Sequence, residues 1–172
     1  MRRVSVVRLL AVVALVLLAA GPVRAQGIVV AVGWAPSYLT AQGTNTTAPV
    51  GAMFNVAAGV LPMVQVVGDL GFVRKDDGNL FTGTGGVRFV VPGGSLTRVS
   101  PFVEGLVGLG YLNVSGQGSD TGLTYGAGAG VDVKAAPMVR LRLQLNYFRT
   151  KQFGVNFNQI RFGVGISVAS PL

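Results

Sequence analysis

The 172-residue sequence contains no histidine and no cysteine. Ser-His and Cys-His nucleophile pairs therefore cannot be built, and the common zinc sites lose their usual ligands. The missing thiols also remove disulfides as a stabilising device. Charge is sparse: 12% of residues are Asp, Glu, Lys or Arg, where a soluble domain carries about 25%. A water-compatible surface is hard to assemble from so few. After Ala25 no apolar run approaches the roughly eighteen residues of a membrane-crossing helix, so any crossing falls to strands. The net charge of +8 comes without a basic cluster, which argues against nucleic acid as a partner.

What is present begins with an export signal. Arg2, Arg3 and Arg8 precede an apolar stretch from Leu9 to Ala20, which closes with Gly21-Pro22 and the small residues Val23 and Ala25. This layout predicts a secretory signal peptide over residues 1–25, cut after Ala25, with one domain over residues 26–172. Losing Arg2, Arg3, Arg8 and Arg24 lowers the net charge from +8 to +4.

The domain is dominated by alternation. Val139, Leu141, Leu143, Leu145 and Tyr147 alternate with Arg140, Arg142, Gln144, Asn146 and Phe148; Ile160, Phe162, Val164, Ile166 and Val168 alternate with Arg161, Gly163, Gly165 and Ser167. A period of two is a strand with one apolar and one polar face. At about ten residues these strands have the length that a tilted strand needs to cross a bilayer. Turn signals divide the chain into eight such segments, residues 27–38, 49–60, 63–74, 79–91, 101–113, 122–134, 138–149 and 157–169. Leu61-Pro62-Met63-Val64 and Ala136-Pro137-Met138-Val139 repeat one pattern at two of the tight turns. The polar connections 39–48, 75–78, 114–121 and 150–156 are expected to face outward as four short loops.

In phase, Asp69, Arg88, Glu104, Asp132, Arg140, Arg142 and Arg161 share the polar row. Trp34, Phe72, Phe81, Tyr111, Tyr125 and Tyr147 lie on the apolar row, each near the outer end of its strand. Two barrels accept such rows. A lipocalin-like barrel turns the apolar row inward around a ligand, whereas a membrane barrel turns it toward lipid and carries rings at the interface. Rings at a single level favour the second, as an interface girdle. A three-residue turn at 135–137 predicts Asp132 opposite Arg140 and Gly130 opposite Arg142, small beside large in a narrow interior. Charges of both signs in that interior must pair, which predicts a plugged barrel. Glu104 and Asp132 are then salt-bridge partners rather than paired catalytic carboxylates. Asp76-Asp77-Gly78-Asn79 lacks the spacing of a calcium loop and reads as a hairpin turn.

Pro101-Phe102-Val103-Glu104-Gly105-Leu106-Val107-Gly108, Gly126-Ala127-Gly128-Ala129-Gly130-Val131-Asp132-Val133, the row from Val139 to Tyr147 and Arg161-Phe162-Gly163-Val164-Gly165 resemble the last four strands of the small outer-membrane β-barrels of the OmpA/OmpX type. Val168-Ala169-Ser170-Pro171-Leu172 departs from that family's aromatic ending. The resemblance implies an all-β, eight-stranded antiparallel up-and-down transmembrane barrel in the outer membrane, with both termini periplasmic. It also implies a monomer among lipid and lipopolysaccharide, assembled by periplasmic chaperones and the barrel assembly machinery. No cofactor and no catalysis are expected, and the role is structural or surface-interacting. An apolar-ligand carrier and a narrow, low-conductance channel are the alternatives. N-terminal sequencing of the exported protein is expected to begin at Gln26; retention of residues 1–25 would contradict the signal reading.

Overall fold

The computed structural model describes residues 27–41, 44–75, 78–91, 98–114, 118–152 and 154–170. The expected signal peptide and most of the connection from Pro92 lie outside the described residues. Ten strands form one antiparallel sheet: β1 (Ile28–Trp34), β2 (Ser37–Ala41), β3 (Thr44–Ala48), β4 (Val50–Leu61), β5 (Val64–Lys75), β6 (Gly78–Val90), β7 (Val99–Val114), β8 (Gly118–Lys134), β9 (Val139–Gln152) and β10 (Val155–Ser170). Eight of them close into a ring, β1-β4-β5-β6-β7-β8-β9-β10, through a ladder between β1 and β10. Seven residue pairs, Ile28↔Ser170 to Trp34↔Val164, make that closure.

The remaining two strands correct the expected first outer loop. Residues 39–48 are largely a β-hairpin, β2–β3, that continues the wall upward. β2 pairs with β10 in the register already set by β1, since Ser37↔Arg161 continues Trp34↔Val164. The strand is interrupted at Ala35 and Pro36; Pro36 has no N–H to give, but its carbonyl still accepts from Phe162 N at 3.0 Å. Pro49 interrupts the partner strand, where the pairing slips by one residue between Ala35–Gly51 and Ser37↔Ala48. The Thr-rich run from Thr44 to Thr47 suits a strand better than a coil because β-branched side chains fit the pleat. Among the described residues β3 pairs only with β2, and the Lys75 ammonium reaches across to Thr46 Oγ1.

A second correction concerns register. Asp132 stands opposite Arg142, Lys134 opposite Arg140, Gly130 opposite Gln144 and Gly128 opposite Asn146. The β8–β9 turn takes four residues, Ala135 to Met138, with Ala135 N and Ala136 N both donating to Val139 O at 3.0 Å. The two-residue slip from the expected pairing preserves every side chain's face. The two Pro-Met turns also differ. Leu61↔Val64 closes a two-residue hairpin in which Met63 has φ 68, the left-handed value that the second central position of a type II turn requires.

The apolar row of each strand lies on the outer surface, exposed or half-buried, and the inside is filled mainly by the other row. This orientation overturns the lipocalin-like alternative, which needs the apolar row inside. Phe72, Phe81 and Tyr111 are direct neighbours across β5, β6 and β7. Trp34, Tyr125 and Tyr147 are equally exposed on their own strands, and Trp34 Nε1 donates to Pro49 O at 2.9 Å. Met63→Gly is expected to raise stability by about 0.5–1 kcal/mol by relieving a side chain at positive φ. An unchanged or lower urea midpoint of the folded barrel would contradict it.

Candidate functional site

The inward row brings the interior charges together inside the barrel. Arg88 on β6 donates to Glu104 on β7 through Nε at 2.9 Å and Nη2 at 2.6 Å. Arg142 on β9 makes a two-bond pair with Asp132 on β8, each bond 2.7 Å. Arg161 on β10 reaches across the lumen to Asp69 on β5 at 2.6 Å. All six side chains are almost completely buried, so each charge depends on its partner.

Asn55 on β4 joins the three pairs. Its Oδ1 accepts from Arg88 Nη2 at 2.8 Å and from Arg142 Nη1 at 3.0 Å, while its Nδ2 donates to Asp69 Oδ2 at 3.2 Å. Asn146 donates to the free oxygen of Glu104 at 2.7 Å, and Gln144 donates to Asn146 at 2.8 Å. Two guanidiniums stand over the Phe102 ring, Arg88 at 4.4 Å and Arg142 at 4.9 Å, so the ring's negative face offsets part of their mutual repulsion. Arg161 stands 4.9 Å from the Phe148 ring and leaves Nε and Nη1 without a hydrogen-bond partner, making it the least satisfied of the three.

Glycines give this cluster its room. A Cβ on Gly71 would collide with Arg161 Nη1, one on Gly128 with Asn146 Nδ2, and one on Gly130 with Phe102 Cζ. Apolar layers lie within the same cylinder: Ala57, Val67, Leu106 and Phe148 form one, and Ala48, Val73 and Leu80 another, flanked by Leu39, Leu112 and Phe157. Among the described residues the interior is therefore occupied by side chains.

Asp69, Arg88, Glu104, Asp132, Arg142 and Arg161 are buried and joined in one network. Arg140 is not part of it. It is half-buried, opposite Lys134 and Ser167 at the end of the barrel, because the register places Arg142 beside Asp132. Glu104 and Asp132 each hold their own arginine, as salt-bridge partners do. Sequence reasoning missed Asn55, Phe102 and the lumenal role of Phe148. Asn55 could have been found, since Val50, Ala52, Phe54 and Val56 set the phase that turns it inward. The two guanidiniums over Phe102 depend on residues from three strands and leave no trace in any one of them.

The chain has the fold of the small eight-stranded outer-membrane β-barrels. Among solved structures it is similar to Neisserial surface protein A, NspA, with a TM-score of 0.73 and 16% identity over 84% of this chain and 97% of that one. It is similar also to Ail, the attachment invasion locus protein of Yersinia pestis (TM-score 0.58, 22% identity, 83% of this chain and 99% of that one). OprG of Pseudomonas aeruginosa is a third (TM-score 0.56, 10% identity, 86% and 98%). No protein-family model and no curated protein matches the chain.

Removing one partner of a buried pair leaves an uncompensated charge. Asp132→Leu is expected to cost about 3–5 kcal/mol, and Arg142→Met/Asp132→Leu to recover most of that loss. Equal costs for the single and the double variant, from urea unfolding of the folded barrel, would contradict the pairing.

Proposed function

We propose that the protein is a non-catalytic integral barrel of the outer membrane, with a side-chain-plugged interior and a structural or surface-interaction role. The observation that carries this reading is the separation of the two rows. Asp69, Glu104, Asp120 and Asp132, the described acids, all lie on the inward row, while the outer surface presents aliphatic side chains and exposed rings. A surface of that kind is stable against lipid and unstable against water. Closure of the ring supports the same location, since it leaves no backbone edge within the eight-stranded wall.

The termini are assigned to the periplasmic side, together with the turns at Pro62 and Pro137. The far ends of the hairpins β2–β3, β5–β6, β7–β8 and β9–β10 then face outward. In this setting the protein is a monomer surrounded by lipid and lipopolysaccharide, delivered by periplasmic chaperones and inserted by the barrel assembly machinery. Three buried arginines, each paired with a carboxylate, favour a closed interior over a conducting one. The folded protein is expected to sediment with outer membranes, to migrate differently on gels before and after boiling, and to show no stable single-channel steps of porin size. Recovery of mature protein in the aqueous periplasmic extract would overturn the membrane reading; porin-size steps would overturn the plug.

A further inference from the structure

The outward row is apolar along most of its length and then changes character at the hairpin end. On β9, Tyr147 is followed on the same face by Arg149 and Lys151, both exposed. Arg149 stands between Tyr125 of β8 and Asn158 of β10, and Lys151 stands beside Asn156. Every described acid is on the inward row, so among the described residues this face has cations and no carboxylate. The Tyr147 hydroxyl donates to Asn158 Oδ1 at 2.9 Å. That bond occupies the amide's oxygen and leaves its NH2 group as a donor. Successive residues on one strand face are about 7 Å apart, so a guanidinium, an ammonium and an amide donor lie together just beyond Tyr147 and beside Tyr125.

We propose that this face of β8, β9 and β10 binds the phosphate of a phosphorylated glycolipid in the outer leaflet, with Arg149 and Lys151 as the charged contacts and Asn158 as a third donor. The proposal rests on the membrane reading above, which puts the exposed tyrosines at the interface and the two cations at headgroup level. Long cationic side chains at such a boundary place their stems on the apolar surface and their heads among anions. Two adjacent cations suit a phosphomonoester, with its charge of about −1.5 to −2 near neutral pH, better than the singly charged phosphodiester of a phospholipid. Arg74, two residues past Phe72 on β5, repeats the ring-then-cation order on another side of the barrel without a second cation on its row.

The test uses the full mature chain folded into phosphatidylcholine vesicles, alone or with a minor fraction of phosphorylated disaccharide glycolipid, its dephosphorylated form, or phosphatidylglycerol. Insertion is scored by heat-modifiable gel mobility, and binding by the shift in thermal unfolding. The phosphorylated glycolipid is expected to raise the wild-type midpoint. Arg149→Gln/Lys151→Gln should insert into phosphatidylcholine as wild type does and lose more than half of that shift, with Lys134→Gln at the opposite end keeping it. Equal shifts in wild type and the double variant would overturn the site. An equal wild-type shift with phosphatidylglycerol would overturn the glycolipid assignment in favour of a phospholipid, and an equal shift with the dephosphorylated form would overturn recognition of phosphate. Failure of the wild type to insert into any vesicle would instead overturn the membrane reading.

Discussion

The ladder between β1 and β10 is the constraint on which the rest depends. In hydrocarbon an unpaired backbone N–H or C=O costs several kcal/mol, so a sheet persists there only when its first and last strands meet. Closure has a second effect on the inside. An eight-stranded cylinder is just wide enough for side chains to fill, and long polar groups from facing strands are forced within hydrogen-bonding distance. Arg161 and Asp69 meet across the lumen for this reason, although they are far apart in sequence and not on adjacent strands.

Asn55 shows how such an interior avoids isolated charges. Three guanidiniums and three carboxylates balance formally, yet Arg88 and Arg142 both approach the same ring and the same amide oxygen. An amide can accept from two cations and donate to an anion at once, which neither a carboxylate nor a hydrocarbon can do in that position. With Asn55 on β4 and its partners on β5, β6 and β9, a single side chain ties together strands that the wall orders only by neighbour-to-neighbour pairing.

Much of the barrel was legible in the sequence because a period of two is a direct record of which side chains face which way. The phase read from Val139 to Tyr147 placed Arg142 inward, and the same reading applied to Val103 placed Glu104 inward. Partner identity was less legible, because phase is insensitive to a slip of two residues. Asp132 was therefore assigned Arg140 in place of Arg142, and only the four-residue turn decides between them. The β2–β3 hairpin was hidden for a different reason. Pro36 and Pro49 resemble the ends of strands, whereas here they are interruptions within strands whose pairing continues on the far side.

The parity that makes register slips harmless to the faces also limits how the β8–β9 connection can change in length. With the turn kept at four residues, adding two residues between Ala135 and Met138 leaves Leu141, Leu143 and Leu145 on the outer face and brings Arg140 opposite Asp132, while removing two keeps the faces but brings Gln144 there in place of an arginine. A single-residue change has no such freedom: it must be absorbed as a bulge in the turn, or it drives a row of leucines into the lumen and a row of polar side chains into the bilayer. Length variation at this turn is thereby restricted to even steps or to changes that the turn itself can accommodate.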